Sequence, residues 1–142
     1  MAGLGQRILT KYGMAYLGTV RPDGGPRVHA VTPFILAGSV YLGVMPDTPK
    51  RRDLDRDGRC VIHTLPGPND AEVYLTGRAR RLSAEQVEEL IRQAPPNIRI
   101  ARDTYLYEID LERVNCTTFE NLPSGTRPSP TRTRWVAVPP RA

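Results

Sequence analysis

The stretch Ala15-Tyr16-Leu17-Gly18-Thr19-Val20-Arg21-Pro22-Asp23-Gly24-Gly25-Pro26-Arg27-Val28-His29 sets the pattern for the chain. Met14 to Arg21 is apolar and β-compatible, and the Pro-Asp-Gly-Gly tetrad at 22–25 stops it. Proline fixes φ there, aspartate bonds to nearby backbone, and glycine accepts a positive φ. Pro26 to Leu36 resumes as a strand, Ala37-Gly38 turns it, and Ser39 to Met45 runs back. Three strands joined by tight turns predict an antiparallel meander.

On either side of this meander the signals are short. Gly3 to Tyr12 reads as a helix. Thr48-Pro49 is a helix start, because the residue before proline takes the extended geometry of an N-cap and proline suits the first helical position. That helix should end by Asp57-Gly58. Arg59 to Leu65 and Ala71 to Leu82 read as strands, with Val73, Leu75, Gly77 and Ala79 alternating against Glu72, Tyr74, Thr76, Arg78 and Arg80. Ser83-Ala84-Glu85-Gln86 has capping-box spacing, followed by Val87, Leu90, Ile91 and Ala94 at helical spacing until Pro95-Pro96. Tyr105, Tyr107 and Ile109 alternate in a strand, and Cys116 to Phe119 is a last core strand. Residues 121–134 read as loosely ordered, with Trp135 to Val138 as a closing segment.

These elements predict a mainly β fold in a single domain, residues 1–142: an antiparallel barrel of six or seven strands with two or three short helices. A doubly wound sheet would need helices between nearly all strands. The chain has 142 residues, 39% hydrophobic and 25% charged, which is a globular composition. No apolar run approaches the ~20 residues of a membrane helix, so no membrane partner and a cytoplasmic location are expected. The net charge of +5 raises nucleic acid as a partner. Aromatic content of 6% and scattered arginines offer no stacking platform, which argues against it.

Two segments concentrate chemistry. In Thr48-Pro49-Lys50-Arg51-Arg52 a hydroxyl and cations stand at a helix amino terminus, where unpaired N–H groups and the macrodipole attract phosphate. The alternative is a solvated helix face, since Asp53, Asp55 and Asp57 interleave with the cations. Lys50 stands out because only Lys11 and Lys50 among the 20 basic residues are lysines. In Arg27-Val28-His29-Ala30-Val31-Thr32 an arginine near that corner could complete a phosphate cradle; the alternative is an ordinary strand with an exposed arginine. Cys60 and His63 are three apart on a strand and face opposite sides, so they hold no metal. No nucleophile or acid–base pair can be drawn, and the catalytic residues stay unassigned; a bound cofactor would have to supply any chemistry.

Three stretches in register resemble the pyridoxamine 5′-phosphate oxidase-like family, the flavin and deazaflavin oxidoreductases with a split β-barrel. They are the hairpin Ala15 to His29, the helix start Lys50-Arg51-Arg52-Asp53-Leu54, and Leu75-Thr76-Gly77-Arg78-Ala79, and they span Met14 to Leu82. The resemblance implies a homodimer with a cofactor cleft between subunits and a small-molecule substrate. It implies that Arg27 and the corner Thr48, Pro49, Lys50 and Arg51 bind the cofactor phosphate, and that Val28, His29, Ala30 and Val31 line the isoalloxazine ring. Trp135 would close the cleft from the partner chain. FMN is the expected cofactor, with the deazaflavin coenzyme F-420 or haem as alternatives, since Asp53 stands where asparagine is commoner. The chain end Arg132-Thr133-Arg134-Trp135 lacks the histidine of vitamin B6 oxidation. The implied function is hydride transfer to or from a small organic substrate. A non-catalytic flavin- or haem-binding protein is the other reading, with His29 or His63 as axial ligand.

Overall fold

The computed structural model describes residues 13–65, 71–119, 125 and 130–138. The helix expected over Gly3 to Tyr12, and residues 66–70, 120–124, 126–129 and 139–142, lie outside them. Among the described residues, eight strands and two helices follow in order: β1 (Ala15–Val20), β2 (Pro26–Val31), β3 (Phe34–Leu36), β4 (Ser39–Val44), α1 (Pro49–Arg56), β5 (Arg59–Thr64), β6 (Glu72–Arg81), α2 (Ala84–Gln93), β7 (Tyr105–Phe119) and β8 (Pro130–Val136). All strand pairs are antiparallel, in the order β2-β1-β5-β6-β7-β4-β3, with β8 added on β7. Among the described residues no helix is long and apolar enough to cross a membrane.

The order carries the shape. β2 and β3 lie at opposite edges of the sheet, yet only Thr32 and Pro33 separate them in the chain. Six steps of about 4.8 Å would set the edges of a flat sheet about 29 Å apart. The three Cα steps from Val31 to Phe34 span at most about 11 Å. The sheet must therefore roll until its edges nearly meet. They do not pair, and the result is a split, unclosed barrel.

This corrects the meander expected from the sequence. Pro26 to Leu36 is not one strand: Pro33 has no N–H to donate to a ladder, and the chain changes edges there. β2 pairs with β1, from Ala15–Val31 to Val20–Pro26, whereas β3 pairs with β4. The β1–β2 turn closes as read: the Arg21 N–H donates to the Gly25 carbonyl at 2.8 Å, and the Gly25 N–H to Asp23 Oδ1 at 2.8 Å. The β3–β4 turn sets Ala37 and Gly38 at φ 51° and 82°, as a two-residue hairpin of the mirror type demands.

β7 is the second correction. The two strands expected at Tyr105–Ile109 and Cys116–Phe119 are one strand of 15 residues. Thr76 pairs with Arg113 but Gly77 pairs with Leu111, so Glu112 is an extra residue. A one-residue bulge exchanges the faces of everything beyond it. Tyr107 and Ile109 point inward before it, and Cys116 does so after it. β8 accounts for the eighth strand. It places residues 130–134, expected to be loose, in the ladder with β7.

The core gathers Ala15, Leu17, Val31, Leu42, Ile62, Leu75, Tyr107 and Ile109 from six strands, with Leu54 of α1 closing one end. Cross-strand partners share a face, so Arg27, His29 and Val31 of β2 face inward beside Thr19, Leu17 and Ala15. Val28 faces outward and is 64% exposed.

Candidate functional site

Asp53 is the most unexpected group in this part of the fold. It sits on α1 with its carboxylate turned into the barrel, 1% exposed. A buried carboxylate is costly unless its oxygens are satisfied. Thr19 Oγ1 donates to Oδ2 at 2.8 Å, Arg27 Nε donates to the same oxygen at 2.7 Å, and Arg56 Nη2 reaches Oδ1 at 3.3 Å. Burial pushes its pKa up, but the bonds from Arg27 and Thr19, the Arg27 charge and the Arg56 bond outweigh it and hold the carboxyl below its usual range. Asp53 thus fixes Arg27 by Nε, and the terminal nitrogens of Arg27 meet no acceptor among the described residues.

His29 lies on the same inward face. Its Nε2 is buried and has no hydrogen-bond partner among the described residues. Burial first, then the charges of Lys50 and Arg27, lower its pKa, so the ring is neutral at pH 7. The Arg27–Asp53 bond ties β2 to α1, the helix that carries Lys50. Lys50 itself forms no ion pair or side-chain hydrogen bond among the described residues.

The remaining corner residues are turned elsewhere. Thr48 is the backbone N-cap of α1, but its hydroxyl donates to the Met45 carbonyl at 2.9 Å rather than to the helix. Pro49 occupies the first helical position and has no N–H. The Arg51 N–H already donates to the Thr48 carbonyl at 3.1 Å, and that of Arg52 reaches it at 3.4 Å. That leaves the Lys50 N–H as the first-turn amide without a backbone acceptor. Arg51 points away from Arg27: its Nε donates to the Pro46 carbonyl at 2.6 Å and its Nη1 to Asp55 at 3.3 Å. Asp55 also accepts from Tyr107 OH at 2.6 Å and from Arg81 at 3.0 Å, and Arg81 lies 3.9 Å over the Tyr105 ring. This cluster fastens α1 to β6 and β7.

A cavity of about 820 Å³ opens beside the corner. Of the residues singled out in the sequence, Ala30, Val31 and Lys50 line it; Arg27, Val28, His29, Thr48, Pro49 and Arg51 do not. Its other walls are β3 and the segment from Pro95 to Thr104 that links α2 to β7, including Asn97, Ile98 and Arg99. Sequence reasoning missed that segment, whose only signal was the alternation Asn97-Ile98-Arg99-Ile100 after two prolines. Lys50 and Arg99 are the charged residues of the lining, and no acidic residue joins them among the described residues. Cys60 is buried toward the core, its thiol pushed up to about 12 by burial, while His63 faces out and stacks on Tyr74. Among the described residues no group of three or more His, Cys, Asp or Glu could hold a metal.

No family model and no curated protein matches the sequence. Solved structures do match in shape. A haem-binding protein from Mycobacterium smegmatis aligns with a TM-score of 0.66 at 20% identity, over 92% of this chain. The chain spans 57% of that protein's length. A Clostridium acetobutylicum protein related to general stress protein 26, of the pyridoxinephosphate oxidase family, aligns with a TM-score of 0.69 at 12% identity, over 95% of this chain and 93% of that one. A NimC/NimA family protein from the same organism gives 0.61 at 18% identity, over 92% and 93%. The chain has the pyridoxamine 5′-phosphate oxidase-like fold.

Within this oxidase-like split barrel the three resembling stretches acquire physical reasons. Asp53 and Leu54 are the two buried residues of α1, one bonding inward and one packing inward. Gly77 lies at the β6–β7 register shift, where a Cβ would collide with the Asp110 carbonyl. Ala79 is tied back to the end of α1 by its N–H, which donates to the Gly58 carbonyl at 2.7 Å.

Proposed function

We propose that this chain is a flavin- or deazaflavin-dependent oxidoreductase that holds the cofactor phosphate at Lys50 and Arg27 and the ring system in the adjoining cavity. The observation that carries this reading is Lys50: a cation without an ion-pair partner among the described residues, at a cavity of about 820 Å³ whose walls mix apolar and polar groups. A small-molecule site typically has ~300–1,000 Å³ with a few polar groups set in apolar walls. The site residues fit a phosphate-tailed planar ring. Lys50 supplies a free ammonium and its own N–H, Arg27 has its terminal nitrogens uncommitted, and the unpartnered His29 Nε2 lies in the same corner. Ala30 and Val31 offer a β2 flank for the ring. FMN, when bound, would supply hydride transfer. The residues of this chain grip, orient and shelter it, and no side chain among them is assigned as an acid or base.

Haem is less well served. A histidine axial ligand would have to reach the iron from the cavity wall, and neither His29 nor His63 lines the cavity. The exposed Tyr16 and Val28 on the outer face of β1 and β2 support a homodimer in which a second copy covers that face. Titration with FMN and with a deazaflavin, followed by fluorescence, tests the reading. Saturable binding is expected, and Lys50→Ala should weaken it about tenfold or more, as loss of a charged hydrogen bond does. Failure of both cofactors to bind overturns it, as does a Soret shift on haem addition that is lost in His29→Ala or His63→Ala.

A further inference from the structure

β8 has a strand on one side only. It pairs with β7 from Arg113–Val136 to Phe119–Pro130, and among the described residues no strand lies against its other edge. The Ala137 N–H donates to the Glu112 carbonyl at 2.9 Å, which fixes the phase of the ladder. Backbone groups of an antiparallel strand turn to alternate sides, so Thr131, Thr133 and Trp135 bond toward β7. Arg132, Arg134 and Val136 turn their N–H and C=O groups to the open side, where they meet no partner among the described residues. Such a row of open backbone groups is a template for a further strand.

The side chains decide which strand fits. Arg132 and Arg134 point to one face of the sheet, and Arg113 of β7, the cross-strand partner of Val136, shares it. All three arginines are exposed, and none forms an ion pair or side-chain hydrogen bond among the described residues. Trp135, on the other face, is 42% exposed. A second copy of β8 is a poor neighbour. Antiparallel pairing centred on Thr133 would set Arg132 against Arg134 twice, and like charges directly opposite destabilise a sheet. An acidic strand removes that repulsion and supplies the missing countercharge.

We propose that the open edge of β8 is a docking site for an extended acidic segment of a partner protein, which adds to the sheet as an antiparallel strand. Carboxylates two positions apart then face Arg134 and Arg132, and an apolar residue just before the first lies beside Trp135. The segment therefore reads apolar, acidic, any, acidic. Main-chain bonds hold such a strand and its alternate side chains select it. None of these β8 residues lines the cavity, so the docking stands apart from the cofactor reading.

Trp135 is the only tryptophan of the chain, so its emission reports on this edge directly. The full chain is titrated with the acetylated, amidated peptide Thr-Leu-Glu-Thr-Glu-Thr. A saturable blue shift is expected. The peptide with glutamine in place of both glutamates should bind at least about fivefold more weakly, and the double variant Arg132→Gln, Arg134→Gln should erase that difference. N-methylation of both glutamates keeps the charge but deletes the N–H groups that would donate to the Arg132 and Arg134 carbonyls, and should cost about tenfold. No shift with the glutamate peptide, or equal binding of the glutamine peptide, overturns the proposal. An N-methylated peptide that binds as well as its parent also overturns it, since the patch would then take any anion, an oligonucleotide included. A Trp135 shift that grows with protein concentration alone gives the edge to a second copy and overturns it as well.

Discussion

Arg27 Nε stands 2.7 Å from Asp53 Oδ2, joining an edge strand to the helix 26 residues further along the chain. The pair locks the orientation of the arginine while leaving its outer nitrogens uncommitted. Removing one partner of a buried pair strands the other, at about 3–5 kcal/mol. Arg27 keeps about a fifth of its side chain exposed, so Asp53→Ala should cost about 3 kcal/mol, near the low end of that range. Urea unfolding measures it. A loss below about 1 kcal/mol would mean that the pair is ornamental.

Arg51 and Lys50 are neighbours in sequence with opposite expected effects. Arg51 is spent on the Pro46 carbonyl and Asp55, so Arg51→Ala should lower stability by about 1–2 kcal/mol and leave FMN affinity within twofold. Lys50→Ala should do the reverse, lowering affinity with an unchanged melting temperature. Thermal melts and FMN titrations on the two variants check the pair.

Gly77→Ala would drive a methyl into the Asp110 carbonyl across the register shift. The obstacle is backbone rather than a flexible side-chain end, so the ladder itself must move. Overpacking of this kind costs about 1–3 kcal/mol or more. Chemical denaturation should show a loss in that range, whereas an alanine accepted without cost would contradict the close approach.

Ala37 adopts φ 51°, which an L residue other than glycine, asparagine or aspartate takes at a cost of about 1–2 kcal/mol. Ala37→Asn should therefore stabilise the β3–β4 hairpin by up to about 1 kcal/mol. A rise in the urea midpoint with an unchanged slope is the expected readout.

Stability should fall with pH in two windows. His29, held neutral by burial and by Lys50 and Arg27, has a folded pKa below the ordinary 6.5. The unfolded chain then binds more protons below that value, and stability drops as pH falls. Asp53 and Asp57 are depressed, Asp57 to about 2 chiefly by its hydrogen bonds from Arg59. Their contribution is present above the ordinary 3.8 and lost as pH falls toward about 2. Unfolding free energy measured from pH 8 to pH 3 should decline below about 6.5 and again below about 4. His29→Phe should flatten the first decline alone; an unchanged first decline in that variant refutes the assignment to His29.

What could be read from the sequence was local. The turn at 22–25, the Thr48-Pro49 helix start and the Ser83–Gln86 capping box are decided by the φ preferences and short-range hydrogen bonds of a few adjacent residues, and each formed where it was read. The alternation in β6 likewise followed from one buried and one open face. β7 reads in sequence as two strands because one bulged residue, Glu112, changes the parity of inward positions on which alternation depends.

The chain's own residues thus determined its turns, the helix that carries Lys50 and the strands β1, β4, β5 and β6, because those depend on neighbours in sequence. Only the rolled sheet decided which side chains share a site. It joined Arg27 to Asp53, 26 residues away, and brought Arg99 to the cavity wall that holds Lys50, whereas the Thr48 hydroxyl and Arg51 are turned away by acceptors three to five residues off, the Met45 and Pro46 carbonyls and Asp55. Charge and hydroxyl chemistry are properties of a residue type. The direction in which a side chain points is fixed by acceptors such as Asp55 and Asp53, whose other partners in the network stand tens of residues away along the chain.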